Sequence, residues 1–237
     1  MSKAIILMYH NIDKPPKGAR IPNLYVTPRM FRFQMWYLKT TGFRVVSIQD
    51  LVSAVEAGDT RRDMAAITFD DGYIDFYNNA YPILKHYGYP STVYVVSGLV
   101  GMSNVWDSKS ETHQKQMMDW DHIIEVSKND VQIGSHTRSH PQLTLLSGEV
   151  LQEEVIGSKR ELEERLNQSI EHFCYPYGDW NERVRDLAGE AGYKTACTTD
   201  VGVNTTNDSL LALKRFTARY PSRSLKAIWS RWRSGRG

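Results

Sequence analysis

The chain has little of several things, and each shortage excludes something. Of 237 residues only two are cysteine, Cys174 and Cys197, too few for a disulfide framework. No apolar run approaches the roughly 18–20 residues that a membrane-spanning helix needs. There is no internal repeat and no low-complexity stretch. Neither charge sign dominates: 29 basic and 27 acidic residues leave a net charge of +2, which argues against wholesale nucleic-acid binding. No Asp or Glu follows Asp208, whereas eight Lys or Arg do, so the rest of the chain carries 21 basic against 27 acidic residues. No His follows His172.

What is present is ordinary for a globular protein: 41% apolar and 24% charged residues. The length suits one large domain, and α/β barrels routinely use it as such. Met1-Ser2-Lys3 leads straight into Ala4 to Tyr9 and then His10. That short apolar run has no small-residue cleavage site behind it, so it reads as a first strand rather than a secretory leader. The expected location is cytoplasmic.

Short β-rich runs then alternate with helical patterns. Thr27-Pro28 starts a helix that Gly42 stops. Strands are expected at 43–48, 64–69, 91–96, 131–134, 173–175, 194–199 and 211–216. Helices are expected at 50–57, 73–86, 119–127, 147–167 and up to Ala191. Residues 97–118 form a long polar loop. Strands separated by helices imply βαβ units and a parallel sheet, and about eight strand candidates favour a barrel over an open sheet. A barrel of this kind keeps its chemistry at the C-terminal ends of its strands.

Unusual polar residues fall at those ends. The strand to Phe69 runs into Asp70-Asp71-Gly72. Two adjacent carboxylates repel, and burying both is costly without a cation. The strand from Val131 runs into Ser135-His136-Thr137-Arg138-Ser139-His140. A spacing of four puts both imidazoles on one side of a helical turn, within reach of one metal ion. Phe173-Cys174-Tyr175-Pro176-Tyr177-Gly178 ends a third strand. Each element alone has an ordinary reading: a solvated turn, two surface histidines, a buried aromatic turn. Together, one Asp and two His make a facial ligand set with open positions, and the other Asp is left as a base.

Thr68-Phe69-Asp70-Asp71-Gly72, His136-Thr137-Arg138-Ser139-His140 and Tyr175-Pro176-Tyr177-Gly178 resemble, in order, three motifs of the polysaccharide deacetylases, the NodB-like domains of carbohydrate esterase family four. The resemblance covers about residues 4–216. It implies a distorted (β/α)7-type barrel, one domain over 1–221, and metal-dependent removal of N-acetyl groups from amino sugars, with zinc the usual ion. By motif, Asp70 is the expected base. Asp71, His136 and His140 are the expected metal ligands, and the Tyr177 backbone N–H is the expected oxyanion donor. The implied partner is an N-acetylated glycan or a lipid-linked sugar.

Three features depart from the family pattern. The Arg expected two residues before the Pro of the third motif is replaced by Cys174. The Asp-rich fourth motif with its Trp has no counterpart near Cys197-Thr198-Thr199-Asp200. The late Leu-x-His of the fifth is absent. A layout in which the first strand supplies the general acid resembles the biofilm poly-N-acetylglucosamine deacetylase branch. His10 is therefore the expected general acid, and Arg215 the expected replacement beside Asp70. Asp107, after Trp106, is a further candidate to line the groove.

Residues 222–237 read as a basic helix with Leu225, Ile228, Trp229 and Trp232 on one stripe. It either docks on the barrel or makes peripheral contact with the inner face of a membrane. Two other functions stay open: hydrolysis of another C–N amide, such as an N-formyl sugar or a cyclic amide, and a silent glycan-binding barrel. The oligomeric state is not legible.

Overall fold

A computed structural model describes residues 4–17, 19, 21–58, 63–106 and 114–218. Among the described residues there are eight strands: β1 (Ala4–Tyr9), β2 (Arg44–Val45), β3 (Met64–Phe69), β4 (Ser91–Val95), β5 (Val131–Ser135), β6 (His172–Cys174), β7 (Thr195–Cys197) and β8 (Phe216–Thr217). β1 and β3 are buried along their whole length, as near-continuous apolar runs, broken only by Thr68, suit strands covered on both faces. They pair in parallel from Ala4 opposite Met64 to Tyr9 opposite Phe69. The sheet runs β7-β6-β5-β4-β3-β1-β8, with β2 beside the start of β3, and each pairing is parallel.

Residues 213–218 draw the two edges of this curled sheet together. Leu213 N–H donates to Ala196 C=O at 2.8 Å, against β7, and Ala218 N–H donates to Met8 C=O at 2.9 Å, against β1. The result is the distorted barrel expected from the resemblance, with helices outside: α1 (Pro28–Thr40), α2 (Ile48–Glu56), α3 (Tyr81–Tyr87), α4 (Trp120–Ser127), α5 (Gly148–Gln152), α6 (Ser158–Leu166) and α7 (Glu182–Glu190). Alternate strand residues divide between two cores. Ile5, Leu7 and Tyr9 pack toward the helices with Ala65, Ile67 and Phe69. Ala4 and Ile6 join Met64, Ala66, Tyr94, Cys174, Cys197 and Leu213 in the smaller cluster inside the curl.

Four helices open on a side-chain cap. Thr27, Ser47, Asp119 and Asn181 each accept the backbone N–H three residues on, opening α1, α2, α4 and α7. Several boundaries differ from expectation. The strand expected at 43–48 is only β2, because Ser47 already caps α2. The helix expected from Tyr73 begins as a π turn, Phe76–Ala80, ahead of α3. Pro82 has no N–H for the ordinary i→i−4 bond, which breaks the register there. The long helix from Ser147 is split by a second π turn, Glu153–Gly157, and Ser147 makes no side-chain cap bond. The strand expected at 211–216 is a 3-10 turn at Leu210–Ala212 followed by β8, so Arg215 precedes a strand instead of ending one. Residues 222–237 and Asp107 lie outside the described residues. Among the described residues no helix is long and apolar enough to cross a membrane.

Candidate active site

Side chains on a strand alternate between faces, so a row that points into the curl continues past the strand end at the same parity. On β1 the inward row is Ala4 and Ile6, and counting on by twos reaches His10. On β3 it is Met64 and Ala66, and counting on reaches Thr68 and Asp70. The same count on β5 runs through Gly134 to His136. Gly134 is needed because a Cβ there would lie 2.5 Å from the Tyr94 ring, which fills the middle of the curl.

Asp71 breaks the alternation. Its φ is +75°, followed by Gly72 at +80°, so the chain reverses and a second carboxylate reaches the same cavity. The histidine pair is also set by left-handed backbone, not by the helical turn expected from its spacing. Thr137 has φ +67° and His140 φ +64°, and the Thr137 hydroxyl accepts the His140 N–H at 3.0 Å. That turn brings His136 Nε2 to 3.3 Å and His140 Nε2 to 3.4 Å from one oxygen of Asp71. All three residues are buried. Burial alone pushes the Asp71 carboxyl up, but its hydrogen bonds with His136 and His140 outweigh this and hold it well below the usual carboxylate range.

These donors fit a divalent cation. Their ligand atoms all lie within 4.8 Å of one another. His136 Nδ1 donates to the Cys174 carbonyl at 2.7 Å, which in the neutral ring leaves the lone pair on Nε2, facing Asp71. One carboxylate and two imidazoles suit several transition metals.

Asp70 faces a different partner. Arg215, with no exposed surface, donates Nη1 to one oxygen of Asp70 at 2.7 Å and Nη2 to the other at 2.8 Å. The rest of its guanidinium is also engaged: Nε with Thr198 C=O at 2.9 Å, Nη1 with the Thr68 hydroxyl at 3.2 Å, and Nη2 with Cys174 Sγ at 3.1 Å. Below it lies the Tyr94 ring, 5.8 Å away. Burial pushes the Asp70 carboxyl up, but Arg215 and His10 outweigh it, and the group sits below its ordinary value. His10 Nε2 is 3.8 Å from the second Asp70 oxygen. Burial, against the attraction of Asp70 and Asp71, holds the His10 imidazole below its ordinary value.

Tyr177 is half-exposed at 53% and lies on a strained turn with φ +61°. Its ring meets His140 edge-on at 4.6 Å. Gly178 follows it because any Cβ would sit 2.0 Å from the Thr199 hydroxyl. Asp70, Asp71, His10, His136, His140 and Tyr177 line one cavity of about 350 Å³, shared with Asn11, Tyr25, Tyr73, Trp106 and Lys115. Arg215 stands behind Asp70 and does not line it.

Sequence reasoning missed three participants. Trp106 stacks on His140 with ring centroids 4.1 Å apart. Lys115 hydrogen-bonds Asn11 and lies 3.7 Å over the Tyr25 ring. Glu154 accepts the backbone N–H of Arg138 at 2.9 Å and of Ser139 at 2.8 Å, and the Ser139 hydroxyl at 2.5 Å. It thereby pins the two residues just ahead of His140. Glu154 lies in the π turn Glu153–Gly157, and such a turn is a common mark of a functional segment. A charged helical pattern gives no sign of which Glu would be so used.

Residues 57–196 match the family model described as polysaccharide deacetylase. The structure is similar to that of the Streptococcus pyogenes deacetylase PplD in complex with acetate, at 30% identity and a TM-score of 0.83, over 96% of this chain and 97% of that one. It is similar to BC0361, a polysaccharide deacetylase from Bacillus cereus, at 26% identity and a TM-score of 0.78, over 97% of this chain and 68% of that one. In sequence the chain is 25% identical over 209 residues to the poly-beta-1,6-N-acetyl-D-glucosamine N-deacetylase of Staphylococcus aureus, covering 81% of this chain and 71% of the relative.

Proposed function

Since the chain belongs to the polysaccharide deacetylase family, and so to the carbohydrate deacetylases, we propose that it hydrolyses the N-acetyl amide of an amino sugar in a glycan or its lipid-linked precursor, releasing acetate. The observation that carries this reading is the division of labour between two neighbouring carboxylates, one bound by Arg215 and one by two histidines. The Staphylococcus aureus relative, an N-deacetylase of an N-acetylglucosamine polymer by name, supports the substrate class.

Asp71, His136 and His140 would hold a divalent cation, zinc in our reading. Such an ion supplies Lewis-acid polarisation of the amide carbonyl and makes water more acidic. Asp70 takes a proton from the attacking water at a carboxylate oxygen. Arg215 keeps that carboxylate ionised and oriented through two parallel hydrogen bonds. Water's oxygen bonds to the carbonyl carbon, and the Tyr177 backbone N–H donates to the oxygen that becomes negative. The C–N bond then breaks as His10, in its protonated form, gives a proton to the departing amine. Burial favours the neutral His10 ring, and the Asp70 carboxylate beside it opposes that and favours the proton.

The test is acetate release from N-acetylated chito-oligosaccharides and lipid-linked precursors, using metal-stripped protein with zinc, cobalt or nickel restored. Release that requires metal and disappears in Asp70→Asn supports the proposal. No release from any substrate by metal-loaded protein sinks it, and turns attention to other amides.

A further inference from the structure

Away from the cavity, the layer made by α1 and α3 has an unusual charge and apolar pattern. Residues 14–49 contain seven Lys or Arg and no Asp or Glu, and residues 76–106 contain no Asp or Glu either. α1 comes from the first stretch, α3 from the second, and the two pack together. On α1, Phe31, Gln34, Met35 and Leu38 are buried. Arg29, Arg32, Phe33, Trp36 and Lys39 are exposed, at spacings of three, four, seven and ten from the first, so they form one outward stripe. Phe33 is 44% and Trp36 48% exposed, with their rings 5.5 Å apart. Lys39 lies 5.9 Å over the Tyr87 ring at the end of α3, and Lys85 is exposed on that helix. By contrast, residues 148–166, which include α5 and α6, carry six Glu against three Lys or Arg.

Exposed aromatic rings flanked by cations, with no acid among them, suit the boundary between water and lipid. There rings enter the headgroup zone while Arg and Lys meet phosphates. We propose that the outward stripe of α1, flanked by α3, docks the protein on an anionic lipid bilayer. A second copy of the same face is disfavoured, because it would set Arg29, Arg32 and Lys39 against their own counterparts. A soluble polyanion would use the cations but leave Phe33 and Trp36 in water. The proposal does not rest on the chemistry at Asp70 and Asp71.

The test uses the full chain and vesicles of phosphatidylcholine with and without phosphatidylglycerol. Binding is expected to require the anionic lipid and to fall as salt rises. Arg29→Gln/Arg32→Gln is expected to weaken it roughly thirtyfold, since each cation near the surface contributes separately. Trp36→Phe reads insertion directly: it should remove part of the fluorescence quenching by brominated phospholipid seen with the parent protein. Acetate release from a soluble substrate should be unchanged in both variants. Equal vesicle binding by parent and double variant, equal binding to neutral vesicles, or undiminished quenching in Trp36→Phe would each overturn the proposal. So would loss of binding by the double variant to soluble polyglycerol phosphate with no effect on vesicles.

Discussion

Asp70 and Asp71 are neighbours in sequence and opposites in surroundings. Asp70 continues the inward row of β3 and meets a guanidinium delivered from the far end of the chain, on the segment that draws the sheet edges together. Asp71 leaves that row through a left-handed backbone turn and meets two imidazoles from the end of β5. Both carboxyls are held below their ordinary values against burial, but by different means. A fixed, permanently charged partner can be matched by one protonation state only, whereas imidazoles can exchange a proton for a metal. Side-by-side carboxylates thus acquire different chemistry from the elements that face them.

The comparison breaks most completely if the histidine side is emptied. His136→Ala is expected to lose the metal and reduce acetate release to background, read by elemental analysis together with turnover. Retained metal at full stoichiometry would remove His136 from the ligand set. Next comes Asp70→Asn, expected to keep the metal while turnover drops by roughly 10²–10⁴, the usual range for a positioned base. Loss of metal in that variant would merge two roles that are separated here.

Arg215→Met sharpens the Asp70 side. It leaves a buried carboxylate without its partner, an expected cost of about 3–5 kcal/mol in unfolding free energy. Burial then acts on Asp70 with less opposition, so its carboxyl rises. The acid limb of kcat/KM should move to higher pH, because Asp70 must be ionised to accept a proton. The sign for stability agrees: a carboxyl held below its unfolded value stabilises the fold at neutral pH and loses that contribution only as pH falls through the lower value. An unmoved acid limb would show that Arg215 does not act through Asp70. The smallest effect is expected at Glu154→Gln, which keeps the shape but weakens the anchor of Arg138 and Ser139. Metal affinity should fall by about tenfold, as for other groups that orient a ligand from behind, with Asp70-dependent chemistry intact once metal saturates. Unchanged affinity would make Glu154 a purely structural contact.

Much of this was legible in the residues themselves. The helix starts at Thr27 and Asp119, the apolar strand runs and the polar residues after them need only local spacing, whereas Ser47, inside an expected strand, was not legible as a cap. The π turns were not legible, because widening a turn by one residue depends on what packs against it: Glu154 reaches the histidine loop, and Pro82 interrupts a ladder. Nor could the histidine spacing reveal the left-handed residues at Thr137 and His140. A helical turn and a left-handed turn both bring side chains four apart together.

The sequence by itself determined the parallel α/β architecture, the ordered motifs and the candidate set Asp70, Asp71, His136 and His140. Periodicity and local chemistry are short-range properties, readable along the chain. The resemblance already pointed to Asp71 with the two histidines and to Arg215 beside Asp70. Only the tertiary structure decided the contacts themselves, with Arg215 spanning both oxygens of Asp70 and two imidazoles meeting one oxygen of Asp71. The approach of Arg215 to Asp70 spans 145 residues, and it exists because the segment 213–218 is drawn between β7 and β1. A buried guanidinium is tolerable only where a carboxylate meets it, so the curl of the sheet and the identity of Asp70 as the arginine-bound carboxylate were settled together.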